Sequence, residues 1–152
     1  MSPYNNILVI CQGNICRSPV AEALLKQAMP GKQIQSAGLT AMVGQGCDAS
    51  AAEFASAAGL DTSAHTARQL TPEMIQWADL ILVMSQGQRS QLGKTAPEAI
   101  GKTMLLGHWI QGAGTRANNG MDIPDPYKKS RDVFEHVHKL MHQGVSQWAA
   151  KI

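Results

Sequence analysis

Apolar side chains along this chain gather in two dense runs, one long stripe and several weaker patches. The run Ile7-Leu8-Val9-Ile10 has no polar alternation and is too short for a helix. It predicts a strand over residues 6–10, of the kind buried on both faces of a parallel sheet. Leu80-Ile81-Leu82-Val83-Met84 repeats the pattern and predicts a second core strand within 79–84. Weaker signals place strands at 32–37, closed by Gly38, and at 103–106.

Helices fill the intervals. Val20, Leu24 and Ala28 recur every four residues behind Pro19, which suits the first position of a helix that Pro30-Gly31 ends. Residues 48–58 are alanine-rich, carry Phe54 and run into Gly59, a C-terminal cap signal. Thr71-Pro72-Glu73 has the form of a helix start with Thr71 as N-cap, and 85–92 reads as a polar helix. From 130 to 150, Phe134, Val137, Met141, Val145 and Trp148 are spaced by threes and fours, one apolar face of a long helix. Residues 107–121 hold four glycines and the pair Asn118-Asn119, so a mobile surface loop is expected there.

Strands alternating with helices, without a repeat or linker, predict one α/β domain over residues 1–152 with a parallel sheet. Ligands of such sheets bind beyond the carboxyl ends of the strands. With 44% hydrophobic and 16% charged residues, the chain has the means to bury a core. The net charge of +2, with no basic run longer than Lys128-Lys129, argues against a nucleic-acid partner. The run at 7–10 is too short for a membrane span and lacks the charged residues that precede a signal sequence's apolar region. Three cysteines at uneven spacing do not make a disulfide framework and fit the reduced thiols of a cytoplasmic protein.

The loop after the first strand reads Cys11-Gln12-Gly13-Asn14-Ile15-Cys16-Arg17-Ser18-Pro19. A cysteine, five residues, an arginine and a serine, set between a buried strand and a helix start, have the makings of a phosphate site. A loop wrapped onto a helix N-terminus turns the backbone N–H groups of Gln12, Gly13, Asn14, Ile15, Cys16, Arg17 and Ser18 inward, where the helix dipole also favours an anion. Gly13 and Asn14 tolerate the left-handed backbone such a wrap needs. Arg17 offers a planar fork that matches two phosphate oxygens, which lysine does not. Cys11 lies at the floor of this cradle, where a helix N-terminus and a guanidinium favour thiolate over thiol. The Ser18 hydroxyl is placed to donate to that sulfur.

Hydrolysis of a phosphate ester also needs a proton for the departing oxygen. A histidine would serve, but Asp125 in Ile123-Pro124-Asp125-Pro126-Tyr127 is the better candidate, since flanking prolines hold its backbone. His138 and His142, four apart on the last helix, read as a solvated face and not a metal site. No metal and no cofactor is expected.

The segments 11–19 and Asp125-Pro126-Tyr127 together resemble the low-molecular-weight protein tyrosine phosphatases. The likeness extends through Ser36-Ala37-Gly38, through 65–70 and through 79–84. Gly107-His108-Trp109 and 123–130 look most like the bacterial subgroup tied to capsule and exopolysaccharide production, which acts on an autophosphorylating membrane tyrosine kinase. The resemblance implies a three-layer, Rossmann-like fold with a four-stranded parallel sheet flanked by helices. It implies a metal-free mechanism with Cys11 as nucleophile, Arg17 and the loop N–H groups holding the phosphate, and Asp125 as acid and then base. It implies that Asn14 stabilises the loop and that Tyr127 lines the pocket. In this family a cysteine at the position of Cys16 forms a reversible disulfide with the nucleophile. A monomer whose substrate is a phosphotyrosine protein, namely such a kinase, is the expectation.

Two positions depart from the pattern. Gln12 stands where relatives carry an apolar or small residue. Where many relatives have an aromatic pocket wall, this chain has Leu39-Thr40-Ala41-Met42-Val43, leaving Met42 to touch a substrate ring through its sulfur. An arsenate reductase of the same fold would need two further redox cysteines downstream, and none follows Cys47. A silent phosphotyrosine-binding module and a phosphatase for small phosphate esters remain as rival readings. Arg116, Lys128 and Lys129 are candidates for steering acidic substrates, and the region of Trp109 for binding or for packing.

Overall fold

The computed structural model describes residues 4–110 and 120–152. Four strands, β1 (Asn6–Cys11), β2 (Gln33–Gly38), β3 (Leu80–Val83) and β4 (Thr103–Leu105), form an all-parallel sheet in the order β2-β1-β3-β4. Five helices accompany them: α1 (Arg17–Ala28), α2 (Ala49–Ala57), α3 (Pro72–Trp77), α4 (Gln86–Thr95) and α5 (Arg131–Lys151), with a 3-10 turn at Pro97–Lys102.

Strand alternation sorts the apolar runs onto two faces. Ile7, Val9 and Cys11 join Leu80 and Leu82 in a core covered by α1, α2 and α5. Leu8 and Ile10 join Ile81 and Val83 in a second core covered by α3 and α4. This is the three-layer α/β fold, and it explains why both runs lack polar alternation: each strand is apolar on both sides. Each fully buried Leu, Ile or Val of these runs contributes about 1.5–3 kcal/mol relative to an exposed one.

The α5 stripe faces the first core, with Phe134, Val137, Met141, Val145 and Trp148 all buried. Gly144 lets the helix approach the sheet, since a Cβ there would meet the Leu106 carbonyl oxygen at 2.8 Å. One turn later, Trp148 Nε1 donates to the Leu105 carbonyl at 3.1 Å. Phe54 of α2 stacks on Phe134, with ring centroids 6.2 Å apart.

Two sequence expectations need correction. The first helix starts at Arg17 and not at Pro19, because the end of the cysteine loop is already helical. In the segment 107–121, the ends are packed and not loose. Ile110 is buried, Met121 N donates to the Gly107 carbonyl at 3.0 Å, and Ile123 N donates to the Met84 carbonyl at 2.7 Å. Gly120 has φ +74°, and a Cβ there would overlap the Gly107 and His108 backbone, so the two ends touch. The remainder of that expected loop, Arg116 included, lies outside the described residues. Trp109 packs, standing edge-on to Trp148 at 5.5 Å with Lys151 Nζ 4.6 Å from its ring centre.

The sheet order places the site. From β1 the chain crosses to β2 on one side, while β3 and β4 lie on the other. This reversal lies at β1, whose carboxyl end is Cys11, and at such switch points the loops of an α/β sheet diverge and ligands bind.

Candidate active site

Residues 11–17 leave β1, fold back and enter α1. Asn14 takes φ +59°, the left-handed conformation that asparagine adopts more readily than most residues. The loop is braced from outside. The carbonyls of Cys11, Gln12 and Gly13 accept from the N–H groups of Leu39, Thr40 and Met42, at 3.0, 2.9 and 3.0 Å. The Ile15 carbonyl accepts from Asp48 N at 2.7 Å. Gly38 is required here, since a Cβ would come 2.8 Å from the Gln12 carbonyl oxygen. With the carbonyls turned outward and bound, the loop N–H groups are free to face inward. The start of α1 has no side-chain cap, so its first N–H groups are also open to an anion.

Cys11 is buried, with its Sγ 2.9 Å from Ser18 Oγ and receiving the Asn14 N–H at 3.3 Å. Arg17 is 5% exposed, yet it reaches across to the segment after Gly120. Its Nη1 donates to the Ile123 carbonyl at 2.7 Å, and its Nη2 lies 3.8 Å from Asp125 Oδ2. Its Nε is buried and has no protein partner. A buried guanidinium N–H without a partner is costly, and a phosphate oxygen would satisfy it.

Asp125 stands at the rim, half exposed, with Oδ1 accepting from Tyr127 N at 3.0 Å. Tyr127 is half-buried beside it, and Lys128 Nζ lies 5.4 Å from the centre of its ring. Met42 is half-buried and bound through its N–H to Gly13. The Gln12 side chain turns away from the cradle, donating from Nε2 to Thr40 Oγ1 at 2.7 Å. Cys11, Asn14, Arg17, Ser18, Met42, Asp125 and Tyr127 are thus brought together around the loop that follows β1. Cys16 is buried at the base of the loop, and burial first, then the nearby Asp48 and Asp125 charges, push its thiol pKa up. Cys47 is half-buried and its thiol is likewise pushed up, mainly by burial. Among the described residues, no group of three or more His, Cys, Asp or Glu is placed to hold a metal ion.

Several residues that hold the loop have no signal in the sequence beyond the family likeness. His65 Nε2 lies 2.6 Å from the Asn14 carbonyl oxygen, so it is the donor. Arg68 N donates to Asn14 Oδ1 at 2.9 Å, and Arg68 Nε donates to the Ser36 carbonyl at 3.0 Å. Ser36 and Glu22 extend the same web. These partners come from distant stretches of chain, and no periodicity marks them.

Residues 6–152 match the family described as low molecular weight phosphotyrosine protein phosphatase. The chain belongs to that family and is a protein-tyrosine phosphatase, a phosphoric monoester hydrolase. It is 42% identical over 149 residues to the low molecular weight protein-tyrosine-phosphatase Etp of Escherichia coli strain K12, covering 98% of this chain and 95% of Etp. It is 47% identical over 146 residues to Wzb of Salmonella typhimurium, covering 96% of this chain and 93% of Wzb. The crystal structure of the tyrosine phosphatase AmsI from Erwinia amylovora superimposes with a TM-score of 0.90 at 44% identity, over 98% of this chain and 93% of that one.

Proposed function

We propose that the protein hydrolyses phosphotyrosine in proteins through a phosphocysteine intermediate. Residues 1–152 act as one domain, a monomer without a cofactor. The observation that carries this reading is the cradle itself: a buried sulfur facing two donors, beside a buried guanidinium with an unused N–H.

In the first step the Cys11 thiolate attacks phosphorus opposite the tyrosine oxygen. The P–O bond breaks, and protonated Asp125 gives its proton to the leaving phenolate. In the second step the Asp125 carboxylate takes a proton from water as the water oxygen attacks phosphorus. The S–P bond breaks, and phosphate and the thiolate are released. The Arg17 guanidinium and the N–H groups of Gln12 to Ser18 hold the equatorial oxygens, where charge builds in both transition states. The Ser18 hydroxyl supports the sulfur as it leaves. Asn14 keeps the loop in shape, and Tyr127 and Met42 flank the substrate ring.

The natural substrate in this proposal is an autophosphorylating tyrosine kinase that controls capsule or exopolysaccharide production, met from the cytoplasm. Support comes from the likeness to Wzb, Etp and AmsI over nearly the whole chain. No described helix is long and apolar enough to cross a membrane.

The test is metal-free turnover of an aryl phosphate and of phosphotyrosine, phosphoserine and phosphothreonine peptides. The parent should cleave the aryl and phosphotyrosine substrates, and Cys11→Ser should cleave none. Activity retained in Cys11→Ser, or a parent that prefers phosphoserine, overturns the reading. Dephosphorylation of a purified tyrosine autokinase, compared with an unrelated phosphotyrosine protein, tests the partner.

A further inference from the structure

A chain of hydrogen bonds leads from the Cys11 sulfur to the protein surface, and its direction is determined at every link. Asn14 Oδ1 accepts from Arg68 N, so the Asn14 amide nitrogen lies on the opposite side. That nitrogen donates one hydrogen to Ser18 Oγ at 2.7 Å and the other to Ser36 Oγ at 3.0 Å. Ser36 Oγ is 2.5 Å from Glu22 Oε1, and a carboxylate only accepts, so the Ser36 hydroxyl hydrogen points to Glu22. The second Glu22 oxygen, Oε2, accepts from Lys26 Nζ at 2.6 Å. At the other end, Ser18 Oγ accepts from Asn14, and since a Cys11 thiolate carries no hydrogen, the Ser18 hydroxyl is the donor to Sγ at 2.9 Å.

We propose that Glu22 is a positioning residue for the phosphatase reaction: its carboxylate anchors Ser36 and Asn14 so that the Ser18 hydroxyl hydrogen is delivered to the Cys11 sulfur. The inference rests on the proposed role of Cys11 and extends it to a residue that touches neither substrate nor sulfur. The physical basis is the single hydrogen of each hydroxyl. Ser36 is 3% exposed, and without Glu22 its hydrogen has lost its carboxylate acceptor. The hydroxyl then turns, the Asn14 amide loses one of its two acceptors, and the bond from Ser18 to sulfur is no longer enforced. Cooperativity works in the same sense: a hydroxyl that accepts from Asn14 is a better donor to sulfur, and one that donates to a carboxylate is a better acceptor. Glu22 lines a surface groove of about 360 Å³ with Lys26 and His65, so its truncation removes atoms beside open space and not inside the core.

The experiment reads the sulfur directly. The rate of Cys11 alkylation by iodoacetamide at pH 6 is measured by peptide mass, alongside kcat/KM for an aryl phosphate and inhibition by inorganic phosphate. Glu22→Ala should slow alkylation about tenfold, with kcat/KM falling in step. Phosphate inhibition should change by less than about twofold, because the cradle N–H groups and Arg17 are untouched. Glu22→Gln, whose amide oxygen still accepts from Ser36, should stay within about threefold of the parent. Ser36→Ala breaks the same chain from inside and must reproduce the slowing even were Glu22→Ala to melt early. The double variant should be no slower than Ser36→Ala alone. Parent-like alkylation in Glu22→Ala, a Gln variant as slow as the Ala variant, or additive effects would overturn the inference. Activity retained in Cys11→Ser would instead overturn the phosphocysteine reading, so the two failures are distinct.

Discussion

Arg17 and Ile123 are 106 positions apart in sequence, and a 2.7 Å hydrogen bond joins Nη1 of the first to the carbonyl of the second. The bond ties the cysteine loop to the segment that carries Asp125. One guanidinium edge thus holds that segment, while the buried Nε has no protein partner and is the donor the proposed mechanism gives to phosphate.

Arg17→Lys should therefore be severe despite keeping the charge. A lysine carries its donors on one nitrogen and lacks the planar fork by which Nη1 meets the Ile123 carbonyl while Nε faces elsewhere. A fall in kcat of about 10²-fold or more is expected from losing one transition-state donor, with weaker inhibition by phosphate. Steady-state kinetics on an aryl phosphate check this, and a variant within fivefold of the parent would contradict it.

The role given to Asp125 predicts a dependence on the leaving group. Asp125→Asn should lower kcat/KM by about 10²–10⁴-fold with phenyl phosphate, whose phenolate needs a proton to leave. With nitrophenyl phosphate the loss in kcat/KM should be smaller, because that phenolate departs more readily without one. Equal losses in kcat/KM on both substrates would mean that Asp125 does not protonate the leaving oxygen.

Cys16 shares the loop with Cys11 and is buried, with its thiol pushed up by that burial. Dilute peroxide should oxidise Cys11 to the sulfenic acid. Attack by Cys16 then forms a disulfide and releases water. The attacking species is the thiolate, so the fraction of activity that a thiol reductant restores should rise with pH. Cys16→Ser should recover poorly at every pH. Recovery equal to the parent's would exclude Cys16 as the resolving thiol.

Asp79 clamps the entry to β1: its Oδ2 accepts from the N–H groups of Asn5 and Asn6 at 3.0 and 2.9 Å. These bonds hold its carboxyl below the ordinary range. A carboxylate with a lowered folded value stabilises the fold above the unfolded value, and that contribution disappears as pH falls through the folded one. Asp79→Asn should therefore melt lower than the parent at pH 7, and the gap should narrow toward pH 2–3. Thermal unfolding at the two pH values measures it, and a gap that widens in acid would refute the assignment.

Local features were legible wherever one residue type has one physical use. Thr71 caps α3 through its side chain, as a short acceptor before a helix does. The β1 and β3 runs declared strands buried on both faces. The start of α1 was misplaced by two residues because Pro19 is also tolerated later in the first turn, and the helical state of Arg17 depends on the loop behind it. The packed ends of the segment 107–121 were not legible, since glycines at 107 and 120 look the same whether they loosen a chain or let two backbones touch.

The sequence by itself determined the alternation of strands and helices, the cysteine loop at the end of β1 and the family to which both belong. These are encoded by neighbours, in spacings of one to seven residues. Tertiary structure decided which surroundings that loop receives. Ser36, His65, Arg68 and the Ile123 carbonyl reach Asn14 or Arg17 across 22 to 106 positions of sequence. Hydrogen bonds to buried polar groups have strict geometry but no sequence period, so only the folded chain reveals which donor meets which acceptor. Glu22 is the clearest instance: on α1 it reads as an ordinary partner of Lys26, and only the approach of β2 places Ser36 against it.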